Sequence, residues 1–206
     1  MPDSFIDHDF TQPTELRDFV EWHQGIKHYG FWAIEVTDPL CLKTIGLCQQ
    51  HLADRLHPHY LRQPHITLSA SGLIDEQHFS QDCLQQQIHA LKTHKIKPFS
   101  LYLTEAHSFS SAPYLAIKDP SASLQSIRKC LHGICAGEEG SEYVPHVTLG
   151  FYKHAYPTPK ICTQLSTAST LHCKEKQFKV NEIIFARYNT REIQGRYQVL
   201  HRIPLV

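Results

Sequence analysis

The pattern of apolar and polar positions divides the chain into short, regular pieces. Phe31-Trp32-Ala33-Ile34-Glu35-Val36 is a nearly continuous apolar run rich in aromatic and β-branched residues, which predicts a strand. Asp38-Pro39 follows, with Asp as the N-cap and Pro at the first helical position. Leu42, Ile45, Gln49, Leu52 and Leu56 then recur at helical spacing, and Pro58 and Pro64 limit that helix. Pro64-His65-Ile66-Thr67-Leu68-Ser69-Ala70 alternates polar and apolar and predicts a strand. A helix from about Asp75 to Lys92 would turn Phe79, Leu84, Ile88 and Leu91 inward. Strands are predicted over Phe99–Leu103 and Tyr114–Lys118. A second Asp-Pro pair, Asp119-Pro120, then opens a helix carrying Leu124, Ile127, Leu131 and Ile134. Gly133, Gly137 and Gly140 loosen the stretch behind that helix. Pro145-His146-Val147-Thr148-Leu149-Gly150 repeats the earlier strand, and Phe178–Tyr188 and Tyr197–Leu205 read as closing strands. Upstream, residues 1–13 are polar and read as a poorly ordered arm. Thr14 reads as the cap of a short helix with Leu16, Phe19, Val20 and His23 on one face.

Two of these pieces are copies. Asp38-Pro39 and Asp119-Pro120 are 81 residues apart, and so are His65 and His146. Each half therefore runs strand, Asp-Pro helix, Pro-His-x-Thr-Leu strand. The period is too long for a solenoid and points to a two-lobed α+β domain with pseudo-twofold symmetry. The expected organisation is an N-terminal extension with a short helix over residues 1–28 and a single bilobal domain over 29–206, each lobe holding an antiparallel sheet and packed helices around a central cleft.

Composition narrows the functions open to such a domain. Lys plus Arg and Asp plus Glu are each 20, giving zero net charge with neutral histidines. A protein that grips long nucleic acid by neutralising many phosphates carries a basic excess, so a short end or a single nucleotide is the expected partner. No apolar run reaches the roughly 20 residues of a membrane span, and the N-terminus lacks a basic start and apolar core. Seven cysteines, an odd number without Cys-x-x-Cys, read as reduced thiols in a cytoplasmic protein. Sixteen histidines make any single His motif weak, because roughly one His-x-Thr arises by chance at this content. Two copies with the same flanking Pro and Leu, both in predicted strands, are a different matter.

Side chains alternate along a strand, so His65 shares a face with Thr67 and His146 with Thr148, while Ile66, Leu68, Val147 and Leu149 point the other way. Brought together about a pseudo-twofold axis, the two strands would set two imidazoles opposite one another with a hydroxyl beside each. That set suits phosphodiester chemistry without a metal. One neutral imidazole takes a proton from the attacking group and the opposite imidazolium protonates the leaving oxygen. Thr67 and Thr148 donate to the non-bridging oxygens. An unperturbed pKa of about 6.5 lets both imidazole forms coexist near neutrality. A lone histidine of this kind is an ordinary half-buried strand residue; the matched pair is what carries the reading.

At these residues the sequence resembles the two-histidine (2H) phosphoesterase superfamily, and within it the LigT-like group of RNA 2′,3′-cyclic phosphodiesterases and 2′-5′ RNA ligases. The resemblance runs from about residue 29 to residue 206. It implies a bilobal α+β fold, no metal or other cofactor, and His65, Thr67, His146 and Thr148 as the catalytic set. The leading reading is a monomeric cytoplasmic enzyme whose partner is an RNA 2′,3′-cyclic phosphate end or a small cyclic nucleotide. In LigT-like proteins a basic residue often follows the second motif; here Gly150-Phe151-Tyr152 follows.

Other residues are candidates for contacts rather than chemistry. Phe151 and Tyr152, together with Tyr143 and Tyr156, could stack a base. Arg187, Arg62 and Lys118 could reach phosphate, although Arg187 shares its parity with Ile183 and Phe185, which leaves its face open. His57-Pro58-His59 reads as a His-rich turn rather than a zinc site, Cys130 and Cys135 as core cysteines, and Glu138–Glu142 as a solvated acidic loop. Three functions remain open: opening of 2′,3′-cyclic phosphates, the same chemistry on a 2′-5′ linked or signalling cyclic nucleotide, and RNA-end binding without useful turnover.

Overall fold

The computed structural model describes residues 5–135 and 143–206; the expected acidic loop Glu138–Glu142, with Gly137 and Gly140, lies outside them. Among the described residues, eight strands and five α-helices occur: a one-turn α1 (Val20–His23), β1 (His28–Glu35), α2 (Pro39–His51), β2 (His65–Leu73), α3 (Gln81–Thr93), β3 (Phe99–Ser108), β4 (Pro113–Lys118), α4 (Ser123–His132), β5 (His146–Thr148), α5 (Thr158–His172), β6 (Lys176–Val180), β7 (Glu182–Asn189) and β8 (Tyr197–Pro204). They form two antiparallel four-stranded sheets, ordered β2-β1-β7-β8 and β5-β4-β3-β6. The two orders correspond strand for strand in their first members: the motif strand is the edge, and the strand that precedes the Asp-Pro turn is its neighbour.

The repeat does not make two separate cores. α3 packs on α4, and α4 packs on β2, so the helix of the second half covers the sheet of the first. α2 of the first half packs on α5 and β6 of the second. This exchange merges the apolar faces into one buried cluster that includes Trp32, Ile34, Ile66 and Leu68 from one sheet and Leu101, Leu103, Leu115 and Val147 from the other. Gln87 is a buried polar joint within it. It accepts from Trp32 Nε1 at 2.7 Å and donates to the Leu131 carbonyl at 3.1 Å, which satisfies both buried partners.

The helix signals were read differently by the two halves. Asp38 caps α2 as expected, accepting from the Leu40 and Cys41 amides behind Pro39. Asp119 does not open α4 directly. A turn intervenes, Ala122 takes a left-handed conformation, and Asp119 reaches forward to the Leu124 amide at 2.7 Å. α3 begins at Ser80, whose hydroxyl accepts from the Cys83 amide, and not at Asp75, which instead closes a turn on the Gln77 and His78 amides. α5 was not predicted at all. It is rich in Thr and Ser and buries only Thr158, Ile161, Leu165 and Ala168, a stripe too thin to stand out. The expected strand Phe178–Tyr188 is two strands, β6 and β7, in different sheets.

The N-terminal segment is not an arm. From Phe5 onward it is a strap lying across both lobes. Thr11 and Gln12 amides bond to the carbonyls of Tyr156 and Ser110, and the Thr14 amide bonds to the Tyr152 carbonyl, all in the second half. Asp18 pairs with Arg191 and the Lys27 carbonyl accepts from the Thr190 amide, both at the β7–β8 turn of the first half. Phe5 and Thr11 are buried, and Thr14 braces the strap instead of capping a helix. The pattern of single polar and apolar residues gave no sign of this because the strap's bonds are made to distant backbone.

One expectation about thiols is corrected. Cys83 and Cys135 form a disulfide, with α-carbons 6.3 Å apart, joining α3 to the residues after α4. Their 52-residue separation hides a proximity that only the α3–α4 packing creates.

Candidate active site

Strand alternation places the four motif residues as the sequence requires. Ile66, Leu68, Val147 and Leu149 are in the core, while His65, Thr67, His146 and Thr148 are half-buried on the opposite faces. β2 and β5 are both edge strands, and they lie against one another, so the two faces adjoin. Each motif strand is braced by polar side chains of the other half. Tyr143 Oη donates to the Thr67 carbonyl at 2.9 Å and Arg128 donates to the Leu68 carbonyl. Gln49 of α2 donates to the Leu149 carbonyl at 3.0 Å.

The histidines share one geometry. His65 Nδ1 is 2.8 Å from the Gln63 carbonyl, and His146 Nδ1 is 2.7 Å from the Val144 carbonyl, two residues upstream in each case. A carbonyl can only accept, so Nδ1 carries the proton of a neutral ring and Nε2 is left with its lone pair. Each ring is also held between two aromatic walls. Phe31 and Tyr197 lie with centroids 5.2 Å from His65; Phe109 and Tyr114 lie 4.9 and 5.2 Å from His146.

Electrostatics separates the pair. Burial lowers the His65 pKa to about 4, and the charges of Arg62 and His146 push it the same way against the Gln63 bond. Burial also lowers the His146 pKa, opposed by the Val144 carbonyl, with no cation contributing. Behind His65, Tyr197 Oη donates to Glu35 at 3.1 Å and Arg202 pairs with Glu35 at 2.7 Å. Burial and Glu35 both raise the Tyr197 pKa, so that phenol stays protonated.

The candidate contact residues have scattered. Tyr152 is fully buried, its hydroxyl 2.7 Å from Ser108 Oγ, and has no face to offer a base. Phe151 packs edge-on to Tyr60, and its carbonyl accepts from the His57 amide. Gly150 makes this possible: its φ is +154°, and a Cβ there would lie 3.0 Å from Leu56 Cδ1, so the chain can turn under Leu56 only as glycine. Arg187 shares its face with Phe185, which packs in the core against Trp32 and Phe79, and its guanidinium donates to Gln198 at 3.2 and 3.0 Å. The structure therefore does not bring Arg187 to the motif histidines. Lys118 lies on the His146 face, 3.6 Å from Glu175, and Tyr156 sits under Arg55. His57 Nε2 bonds the Thr14 carbonyl of the strap. Among the described residues, no cluster of His, Cys, Asp or Glu is arranged to hold a metal, and no helix is long and apolar enough to cross a membrane.

The aromatic walls were missed by sequence reasoning. Phe31 was hidden in a continuous apolar run whose Trp32 and Ile34 face the core, and Tyr197 reaches His65 only because the first sheet curls. Gln63 ties the two edges of that sheet together, donating to the Tyr197 carbonyl at 3.0 Å and accepting its amide at 3.1 Å.

Residues 39–192 match the family model of the 2′-5′ RNA ligase superfamily. The chain belongs to that superfamily. Within it, the fold is that of LigT-like 2H phosphoesterases. Escherichia coli LigT, in its complex with 3′-AMP, superposes with a TM-score of 0.58 at 16% identity, over 87% of this chain and 99% of that one. TT0787 of Thermus thermophilus gives 0.56 at 14%, over 86% and 97%. Kluyveromyces marxianus Usb1 gives 0.55 at 13%, over 87% and 99%. No curated protein matches the sequence. The superfamily match begins at Pro39, after the strap.

Proposed function

We propose that this superfamily member is a phosphodiesterase that opens 2′,3′-cyclic phosphates on RNA ends or nucleotides by two-histidine acid–base catalysis, without a metal. The observation that carries the reading is the matched pair of Nδ1–H···O=C bonds, which leaves both Nε2 atoms as proton-transfer groups on adjoining strands. The structure of LigT with 3′-AMP supports a nucleotide as the ligand class.

In this mechanism the cyclic phosphate lies between the rings. His65 begins neutral, since its pKa is about 4, and its Nε2 takes a proton as water attacks phosphorus. In the reactive form His146 is protonated, and it delivers that proton to the departing ribose oxygen. The P–O bond to that oxygen breaks, and a phosphomonoester with a free hydroxyl is the product. Thr67 and Thr148 donate to the non-bridging oxygens, where negative charge gathers in the transition state. The Gln63 and Val144 carbonyls hold each ring in register and stabilise its protonated form. The test is incubation with a 2′,3′-cyclic mononucleotide in excess EDTA. A nucleoside monophosphate should accumulate at an unaltered rate. Absence of product, or product only after a divalent ion is restored, would overturn the proposal.

A further inference from the structure

Several cations of the chain already have partners. Arg187 is held by Gln198, Arg128 by the Leu68 carbonyl, Arg202 by Glu35 and Glu182, and Lys118 by Glu175. Arg62 differs. It stands three residues before His65, in the lead-in to β2, with its guanidinium 4.1 Å over the Tyr188 ring and Nε 3.4 Å from the Gly195 carbonyl. Its Nη2 is shut off from solvent and has no hydrogen-bond partner. A buried donor on a permanently charged group is costly to leave unmade, because its water has been removed and nothing has replaced it. The cost disappears if the side chains covering that nitrogen shift enough for an anion to accept its hydrogen. The Tyr188 ring beneath the guanidinium lies 6.0 Å from Phe31, whose ring walls His65 at 5.2 Å, so the guanidinium sits on the same side of the first sheet as that histidine. The residues after the second motif, Gly150-Phe151-Tyr152, supply no cation from the other side.

We propose that Arg62 is the anion-recognition residue of this site, its Nη2 taking a non-bridging oxygen of the phosphate held at His65 and His146. A guanidinium suits this work: it stays charged, and its planar fork is already fixed by Gly195 and Tyr188, so little freedom is lost on binding. Burial is the main reason that His65 stays neutral, and the Arg62 charge adds to it until an anion arrives. Phosphate binding would then offset Arg62 and let a proton be held between the rings. The proposal rests on the reading that the ligand is a phosphodiester, but only in the choice of substrate, because an inorganic phosphate ion would meet the same nitrogen.

The experiment uses the full chain and two probes, inorganic phosphate and a 2′,3′-cyclic mononucleotide. Arg62→Gln keeps the stem and a donor for the Gly195 carbonyl, so the lead-in should hold its place; circular dichroism and thermal melting check this. Phosphate affinity should fall about 10- to 100-fold, the scale of one charge-assisted hydrogen bond. kcat/KM should fall by at least as much, and the acid limb of its pH profile should move upward as the charge beside His65 is lost. Arg62→Lys keeps a charge without the fork and should fall between the two. Should Arg62→Gln fail to fold, the Arg62→Lys comparison with wild type carries the same test. Folded variants that bind phosphate as wild type does would overturn the proposal and leave Arg62 as a brace for the loop. Wild type that binds phosphate through Arg62 yet opens no cyclic phosphate would instead sink the proposed activity and leave this inference standing.

Discussion

The two halves carry the same four-residue motif in unlike surroundings. The β2-β1-β7-β8 sheet curls until its edges meet, and its concave side fills with Phe31, Ala33, Ile184, Ala186 and Tyr197, a small core of its own. The β5-β4-β3-β6 sheet stays open. The face that bears His146 and Thr148 continues through Tyr114 and Ala116 to exposed Lys118, and on to Gln177 and Lys179 at the far edge. The repeat therefore sets two imidazoles in the same local geometry, and their walls make them inequivalent. His65 sits against an apolar plug beside a cation, and its pKa is driven to about 4; His146 is lowered by burial alone. Two groups with distinct proton affinities are what an acid and a base require.

The most severe way to break the comparison is to remove each histidine in turn. His65→Ala and His146→Ala should each lower kcat by about 10²- to 10⁴-fold, with the fold intact because neither ring is part of the main core. The double variant should lose far less than the product of the two if the pair works as the proposed unit. Thr67→Ala and Thr148→Ala should cost about 10- to 10³-fold. Steady-state hydrolysis of a cyclic mononucleotide checks all five, and a histidine variant with full activity at every pH would end the acid–base assignment.

Titration sharpens the comparison. In the proposed mechanism the base must be neutral and the acid protonated, and both pKa values lie below 6.5 in the free protein. kcat/KM should therefore be bell-shaped with a weakly acidic optimum, its two limbs belonging to the coupled pair. Stability follows by linkage. The folded pKa of His65 is below its unfolded value, so the unfolded chain binds the proton first and stability falls as pH drops from 6.5 towards 4. At about 1.4 kcal/mol per unit, the loss approaches about 3 kcal/mol. Denaturant unfolding of wild type and His65→Gln at both ends of that window checks it: the variant should lose that much less.

The mildest difference lies in the helix caps. Asp38→Ala removes a cap from two amides at the start of α2 and should cost about 1 kcal/mol in urea unfolding. Asp119→Ala loses the Leu124 amide together with the turn built on Ser121, and should cost at least as much despite standing outside its helix. A smaller loss at Asp119 would mean that the inserted turn holds itself.

Much of this was written along the chain. The period-two alternation of Pro64–Ala70 and Pro145–Gly150 decided which side chains face the core, and the equal 81-residue offsets of the motif and the Asp-Pro pair announced two related lobes. These are local properties, set by backbone geometry within a few residues, so they survive without knowledge of the fold. The tertiary structure decided everything that depends on residues far apart. Helix exchange made one core from two repeats, sheet curl carried Tyr197 to His65, and strand register set Arg187 against Gln198 and away from the histidines. The strap, the Cys83–Cys135 bond and the depressed His65 pKa are of the same kind. Each is a matter of what packs against what, and of how much water that packing removes, which no periodicity in a single strand or helix encodes.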